Sequence, residues 1–114
     1  MHELSIAQNM LDIAQEIAME QGLSRITQIH LRLGVLSGVV KESLYFAYDI
    51  VTQGTMAEAS SLVIEEMPVV IFCPECHEER SLFRPIPMRC PVCQTKTADI
   101  RSGREIDIIA VEGV

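Results

Sequence analysis

Every cysteine in this 114-residue sequence lies in one of two short runs, Cys73-Pro-Glu-Cys76 and Cys90-Pro-Val-Cys93. Two residues between thiols let a tight turn aim both at one ion, and the proline in each run favours such a turn. Brought together, the two turns offer four thiolates to a tetrahedral ion at about 2.3 Å from each sulfur. Thirteen residues separate the pairs, slightly fewer than in one common zinc arrangement but of the same type. Four thiolates suit a closed structural zinc site. Iron in the same sulfur set, as in a small electron carrier, uses the same ligands. Cys73 to His77 also spells a haem-attachment pattern, which requires export and leaves Cys90 and Cys93 unused. Disulfides are disfavoured where thiols stay reduced.

A second group of donors stands at Met1-His2-Glu3. The Met1 amine and the His2 backbone nitrogen close a five-membered ring around a metal. That same nitrogen and the His2 imidazole close a six-membered one. Nitrogen-rich, flat donor sets suit Ni(II) or Cu(II) better than zinc, and mobile terminal atoms suit release rather than storage. Two simpler accounts stand beside this one. A histidine at position 2 can be merely solvated, and Glu3 can favour the positive end of a helix that starts there. His30 reads as solvated or partner-facing, and His77 as an exposed neighbour of the second thiolate.

Composition narrows the classes. Hydrophobic residues make up 48% of the sequence and aromatics 4%, with no Trp, so the core must be built from aliphatic side chains. No run reaches the 18 apolar residues of a membrane span, and no basic, apolar and cleavage regions mark a signal peptide. The cytoplasm is the expected compartment. Net charge is −7, with six of the nine basic residues between Cys73 and Arg104. That window carries +2 and the remainder −9, a break that suggests two units. A tetrathiolate zinc site adds −2 and cancels the local excess, and the acidic remainder repels a phosphate backbone, so nucleic acid is not an expected partner. There is no glycine-rich phosphate loop and no legible nucleophile set beyond the four cysteines, so the protein is not expected to be an enzyme.

The elements that must position these groups follow from periodicity. Ile6, Met10, Ile13 and Ile17, beside Ala7, Leu11, Ala14 and Ala18, make an apolar stripe on a helix starting within a residue or two of Glu3. Ser5 and Gln8 can form a capping box, and Gly22 suits the stop. Ile29, Leu31, Leu33 and Val35 alternate with polar residues or glycine, as in a half-buried strand. A second helix is expected from about Lys41 to Gln53, with Leu44, Ala47, Tyr48 and Val51 on one face. Strand character returns at Leu62 to Glu66 and Val69 to Phe72, with Pro68 marking an edge or bulge, and again at Glu105 to Val111. The first two strands read as a parallel crossover, with the last returning antiparallel beside the second. The expected fold is α+β: a small mixed three-stranded sheet with two helices, plus an inserted zinc-ribbon module. Residues 1–70 and 105–114 form one domain and 71–104 the ribbon.

The start MHELSIAQ, the stretch FAYDIVTQGTMAEASSLVIEE and the paired CPEC and CPVC runs resemble the HypA/HybF family, nickel metallochaperones of [NiFe]-hydrogenase maturation. The resemblance covers essentially the whole chain. It implies nickel on Met1, His2 and Glu3, held transiently, and structural zinc on Cys73, Cys76, Cys90 and Cys93. It further implies a HypB-type GTPase partner and delivery to the hydrogenase large subunit, with a weak homodimer as a further association. The rival readings are a four-thiolate iron electron carrier and a zinc-ribbon adaptor for nucleic acid.

Overall fold

The structure is a computed structural model that describes residues 3–84 and 87–114. Helix α1 spans Glu3–Glu20 and ends in a Schellman arrangement. Leu23 N–H bonds Ala18 O at 2.9 Å and Gly22 N–H bonds Met19 O at 3.1 Å, with Gly22 at φ 72°. The buried row is Ala7, Met10, Leu11, Ala14 and Ala18. Ile13 is half exposed and Ile6 and Ile17 flank the seam, so the alanines with Met10 and Leu11, not the isoleucines, face the core. Small side chains allow close approach of a neighbour, and α2, Lys41–Val51, packs against this helix. Because α1 already begins at Glu3, Ser5 sits inside the first turn and not at the cap. Leu44, Ala47 and Tyr48 are the buried residues of α2, while Val51 is half-buried. The Tyr48 hydroxyl meets Ser60 Oγ at 2.5 Å, and burial pushes its pKa up.

Strands β1, Ile26–Gly34, and β2, Ser61–Met67, lie in one sheet with the last strand, Ile106–Gly113. That last strand is β6, because three others intervene. The order is β2-β1-β6, so the final strand returns beside the first and not beside the second. Burial explains the choice. β1 places Ile26, Ile29, Leu31 and Leu33 in the core, whereas Leu62 is the buried residue of β2, as in an edge strand. Ile26 N–H reaches Met56 O and Val35 N–H reaches Met67 O, the parallel sense. Val114 N–H bonds Arg25 O while Gly34 N–H bonds Glu105 O, the antiparallel sense.

Pro68 ends β2 outright. The following residues form β3, Val69–Cys73, at the centre of a second sheet with β4, Glu78–Leu82, and β5, Ile100–Ser102, in the order β4-β3-β5. Both pairings are antiparallel. Proline offers no N–H to a ladder, so one continuous apolar run in the sequence becomes two strands in different sheets. The chain divides into two compact units, 1–32 with 39–65 and 107–114, and 33–38 with 66–106. Among the described residues no helix is long and apolar enough to cross a membrane.

In the second unit the backbones of 34–36 and 103–105 run together. Leu36 N–H bonds Gly103 O at 2.7 Å and Gly34 N–H bonds Glu105 O at 2.8 Å. A Cβ on Gly34 would fall well inside contact with the Gly103 carbonyl and 2.6 Å from Glu105 Oε1. The Gly103 carbonyl is backbone and cannot yield cheaply, so Gly34→Ala is expected to cost about 3 kcal/mol. Urea unfolding followed by circular dichroism checks this; an unshifted midpoint would contradict the close approach.

Candidate metal centre

Each cysteine pair sits at the tip of a hairpin. The first closes between β3 and β4, where Cys73 is the partner of Glu78. The second closes above the isolated bridge of Arg89 to Lys96, with Cys90 N–H bonded to Thr95 O at 2.9 Å. The two tips repeat one design. Cys73 O accepts from His77 N–H at 2.8 Å, and Cys90 O accepts from Gln94 N–H at 2.9 Å. Cys73 Sγ accepts from Cys76 N–H and Cys90 Sγ from Val92 N–H, both at 3.4 Å. The residue after each pair turns the chain through the left-handed region, His77 at φ 55° and Gln94 at φ 68°. Neither is a glycine, so the fold holds both against an intrinsic preference.

The first thiol of each pair is buried, Cys76 is half-buried and Cys93 is exposed. Across the pairs, Cys73 Sγ lies 3.4 Å from Cys93 Sγ, and Cys76 Sγ lies 3.9 Å from Cys90 Sγ. All four sulfurs fall within 4.8 Å of one another. Metal–sulfur bonds of about 2.3 Å in a tetrahedron require sulfur separations of about 3.8 Å. Small adjustments therefore bring this set onto one ion, and the four residues fit a metal.

The electrostatics favour thiolate at one corner. The Cys93 backbone N–H, with help from that of Val92 and from Arg80, outweighs burial and draws the Cys90 thiol down to about 6. At Cys76 the Arg80 guanidinium pulls downward, but the other three thiols and burial together push the value up to about 11. Hydrogen bonding with the Thr95 side chain and backbone holds the Cys93 thiol below its usual range, the hydroxyl lying 3.1 Å from Cys93 Sγ. Four adjacent sulfurs without an ion must share protons, and a bound cation removes that need.

Behind the second tip, Thr97 Oγ1 donates to Phe72 O at 2.9 Å and Phe72 N–H bonds Asp99 O at 2.9 Å. Arg101 grips Asp99 through two bonds of 2.8 and 2.9 Å and stacks 4.6 Å from the centre of the Phe72 ring. That grip holds the Asp99 carboxyl below the usual carboxylate range. These contacts fasten the second hairpin to β3 and keep its two thiols facing the first pair.

The N-terminal donors are only partly visible. Met1 and His2 lie outside the described residues. Glu3 is half-buried as the first residue of α1 and lines a shallow groove with Leu4, Ser43, Phe46, Ala47 and Ile50. His30 is engaged rather than merely solvated: its Nε2 lies 2.7 Å from Glu112 Oε2 and 3.1 Å from Gln28 Oε1. His77 is exposed, as expected from its place after Cys76. Sequence reasoning missed Arg80, whose Nη1 pairs with Glu78 Oε2 at 2.7 Å while its Nε is buried. Its only signal was a cation four residues after a metal-type cysteine.

With this geometry in place, likeness to known proteins is informative. The family described as hydrogenase/urease nickel incorporation, metallochaperone, hypA, matches residues 1–113. The chain belongs to the HypA family. A hydrogenase maturation factor HypA from Chloroflexus aurantiacus is 46% identical over 112 residues, covering 98% of both chains. One from Desulfosudis oleivorans is 39% identical over 114 residues, covering 98% of this chain and 97% of the relative. The solution structure of the Ni metallochaperone HypA from Helicobacter pylori shares the fold. Its TM-score is 0.69 at 20% identity, over 100% of this chain and 98% of the other. HypA proteins are maturation factors for nickel enzymes, and this one carries a four-cysteine metal site.

Proposed function

We propose that this HypA-family protein carries Ni(II) as cargo on Met1, His2 and Glu3 and delivers it to the large subunit of [NiFe]-hydrogenase. It works in the cytoplasm beside a HypB-type GTPase and catalyses no covalent reaction itself. The observation that carries this reading is the family match over residues 1–113, which takes in both the terminal triplet and the two cysteine pairs. Cys73, Cys76, Cys90 and Cys93 hold a structural Zn(II), in a ribbon module over 71–104. Residues 1–70 and 105–114 form the nickel-carrying domain.

The chemistry of the terminus explains capture and release together. A neutral Met1 amine, a deprotonated His2 backbone nitrogen and a neutral imidazole supply three nitrogens from two residues. Each must lose a proton before it binds, so proton uptake accompanies release. Glu3 adds a carboxylate at the start of α1. Zinc, when bound, cross-links the two hairpins. The residues around it contribute backbone N–H donors to the sulfurs of Cys73 and Cys90, and the Thr95 hydroxyl lies beside that of Cys93.

The experiment that tests this reading adds one residue ahead of a verified Met1. The strong terminal amine becomes an amide, and histidine moves to the third position. An amine–amide–amide–imidazole set is itself a tight flat chelator of Ni(II), so affinity alone is a poor readout. Activation of apo-hydrogenase by the nickel-loaded chain is the better one. The extended protein is expected to fail in it. Unimpaired activation by a verified, unprocessed extended chain removes the amine from the mechanism.

A further inference from the structure

The arms of the second hairpin hold two cations side by side. Thr97 N–H bonds Met88 O at 3.2 Å and Cys90 N–H bonds Thr95 O at 2.9 Å. Between these two bonds, Arg89 and Lys96 face each other as an isolated antiparallel bridge. A pair flanked in this way exchanges no backbone bonds of its own, the geometry that brings opposed side chains closest. Alternation along the arms sets both side chains on the face opposite Cys90, away from the sulfurs, and both are exposed. Among the described residues neither side chain has a hydrogen bond or ion pair. Asp99, the acid next along the chain, is already held by Arg101 through two bonds. Like charges directly opposite on a ladder repel, and no carboxylate of the described residues offsets this pair.

Beside the bridge lies an open groove of about 490 Å³, lined by Pro87, Met88, Arg89, Lys96, Thr97 and Ala98. The Thr97 hydroxyl is spent on Phe72 O, so the groove offers two positive charges and the apolar surface of Pro87, Met88 and Ala98. We propose that this groove docks an acidic, extended segment of a partner protein: two carboxylates meet Arg89 and Lys96, and a nearby aliphatic side chain packs on Met88. Alternate residues of an extended chain lie about 7 Å apart on one face, a spacing that two long cationic side chains can match. Charge selects this occupant over the others. A polyphosphate backbone would also meet the field of the rest of the chain, which carries −9. A second copy could offer only its acidic first unit, a head-to-tail contact that does not close on itself, between chains that each carry −7. The inference concerns the ribbon surface and is independent of nickel at the terminus.

The test titrates the Zn(II)-loaded full chain at low salt with the end-blocked peptide Glu-Ser-Glu-Ser-Leu, followed by amide NMR. Shifts are expected at residues 87–89 and 96–98, with binding that weakens as salt rises. Combining Arg89→Gln with Lys96→Gln is expected to weaken it about tenfold, the scale of two exposed ion pairs. Arg25→Gln, which removes an exposed cation of the first unit, is expected to bind as the native chain does. Absent binding, shifts confined to other residues, or native affinity in the double variant overturns the proposal. Should the double variant lose its zinc, the peptide Gln-Ser-Gln-Ser-Leu on the native chain decides instead, and equal affinity for it overturns the proposal. Inorganic phosphate that binds the same residues as tightly as the peptide makes this a small-anion site and overturns the peptide reading. Self-association of the native chain at low salt that the double variant loses assigns the groove to a second copy and overturns it likewise.

Discussion

Replacing Cys90 by serine is expected to release the metal and unfold the second unit, while the helices and their sheet survive. The buried hydrophobic residues described in that unit are Leu33, Val69, Ile71, Cys73 and Cys90, two of which belong to the metal cluster itself. Three aliphatic side chains contribute on the order of 5–9 kcal/mol on burial. Ordering the backbone of the unit costs about 1–2 kcal/mol for each residue, which far outweighs them. Metal binding must therefore stabilise this unit, as in small metal-dependent domains generally. Apparent binding energies for structural zinc run to roughly 12 kcal/mol, so one ligand in four represents about 3 kcal/mol, or a hundredfold in affinity. Serine keeps the volume and loses the thiolate. The first unit has its own core in Ala7, Met10, Leu11, Ala14, Ala18, Ile29, Leu31, Leu44 and Tyr48, which the substitution does not touch. Hydrogen exchange with parallel metal analysis checks the outcome. Retained zinc and retained protection across 69–102 in Cys90→Ser would contradict it.

The second large effect is expected at the other end of the sequence. Under the proposed assignment, His2→Ala abolishes tight Ni(II) binding. The imidazole is the one side-chain nitrogen in the terminal chelate, and an alanine in its place leaves an amine and an amide that do not hold nickel at neutral pH. Zinc content and helical circular dichroism should stay native, because the four cysteines and the core lie elsewhere in the sequence. Acidification should mimic the substitution. Free imidazole takes up its proton near pH 6.5, so binding strengthens above that value and weakens below it. The amine and amide protons make the dependence steeper still. Near-native nickel affinity in His2→Ala, or one isotherm serving both pH 8 and pH 6, would falsify the donor set.

Much of the architecture is legible in the residues alone. The extent of α1, the buried face of α2 and the alternation of β1 follow from strong periodicity over long windows, and the cysteine spacing by itself names the metal-binding group. The features that periodicity does not reveal have physical reasons. β4 reads Glu-Glu-Arg-Ser-Leu and β5 Ile-Arg-Ser, with too few apolar residues to show a period. They are strands because their backbones pair with β3, a tertiary effect that composition does not carry. Pro68 signals an interruption, but not that the chain changes sheet there. The neighbour of the last strand depends on which edge of the sheet is open, and local pattern is silent on that. In α1 the larger isoleucines dominate any hydrophobicity reading, yet the close seam selects Ala7, Ala14 and Ala18. Arg80 is hidden for the opposite reason. A charged residue in a polar run reads as solvated surface until the fold shows its Nε buried.

The most direct test of nickel delivery follows the metal itself. The native chain is loaded with one Zn(II) and one isotopically labelled Ni(II), then mixed with the apo large subunit of [NiFe]-hydrogenase and its GTPase partner. The proteins are separated, and the metal content of each is measured by mass spectrometry. Labelled nickel should reach the large subunit faster than from an equal amount of buffered free Ni(II), with zinc remaining on the carrier. Nickel that stays with the carrier, or enters the large subunit no faster than from buffer, would contradict a delivery role.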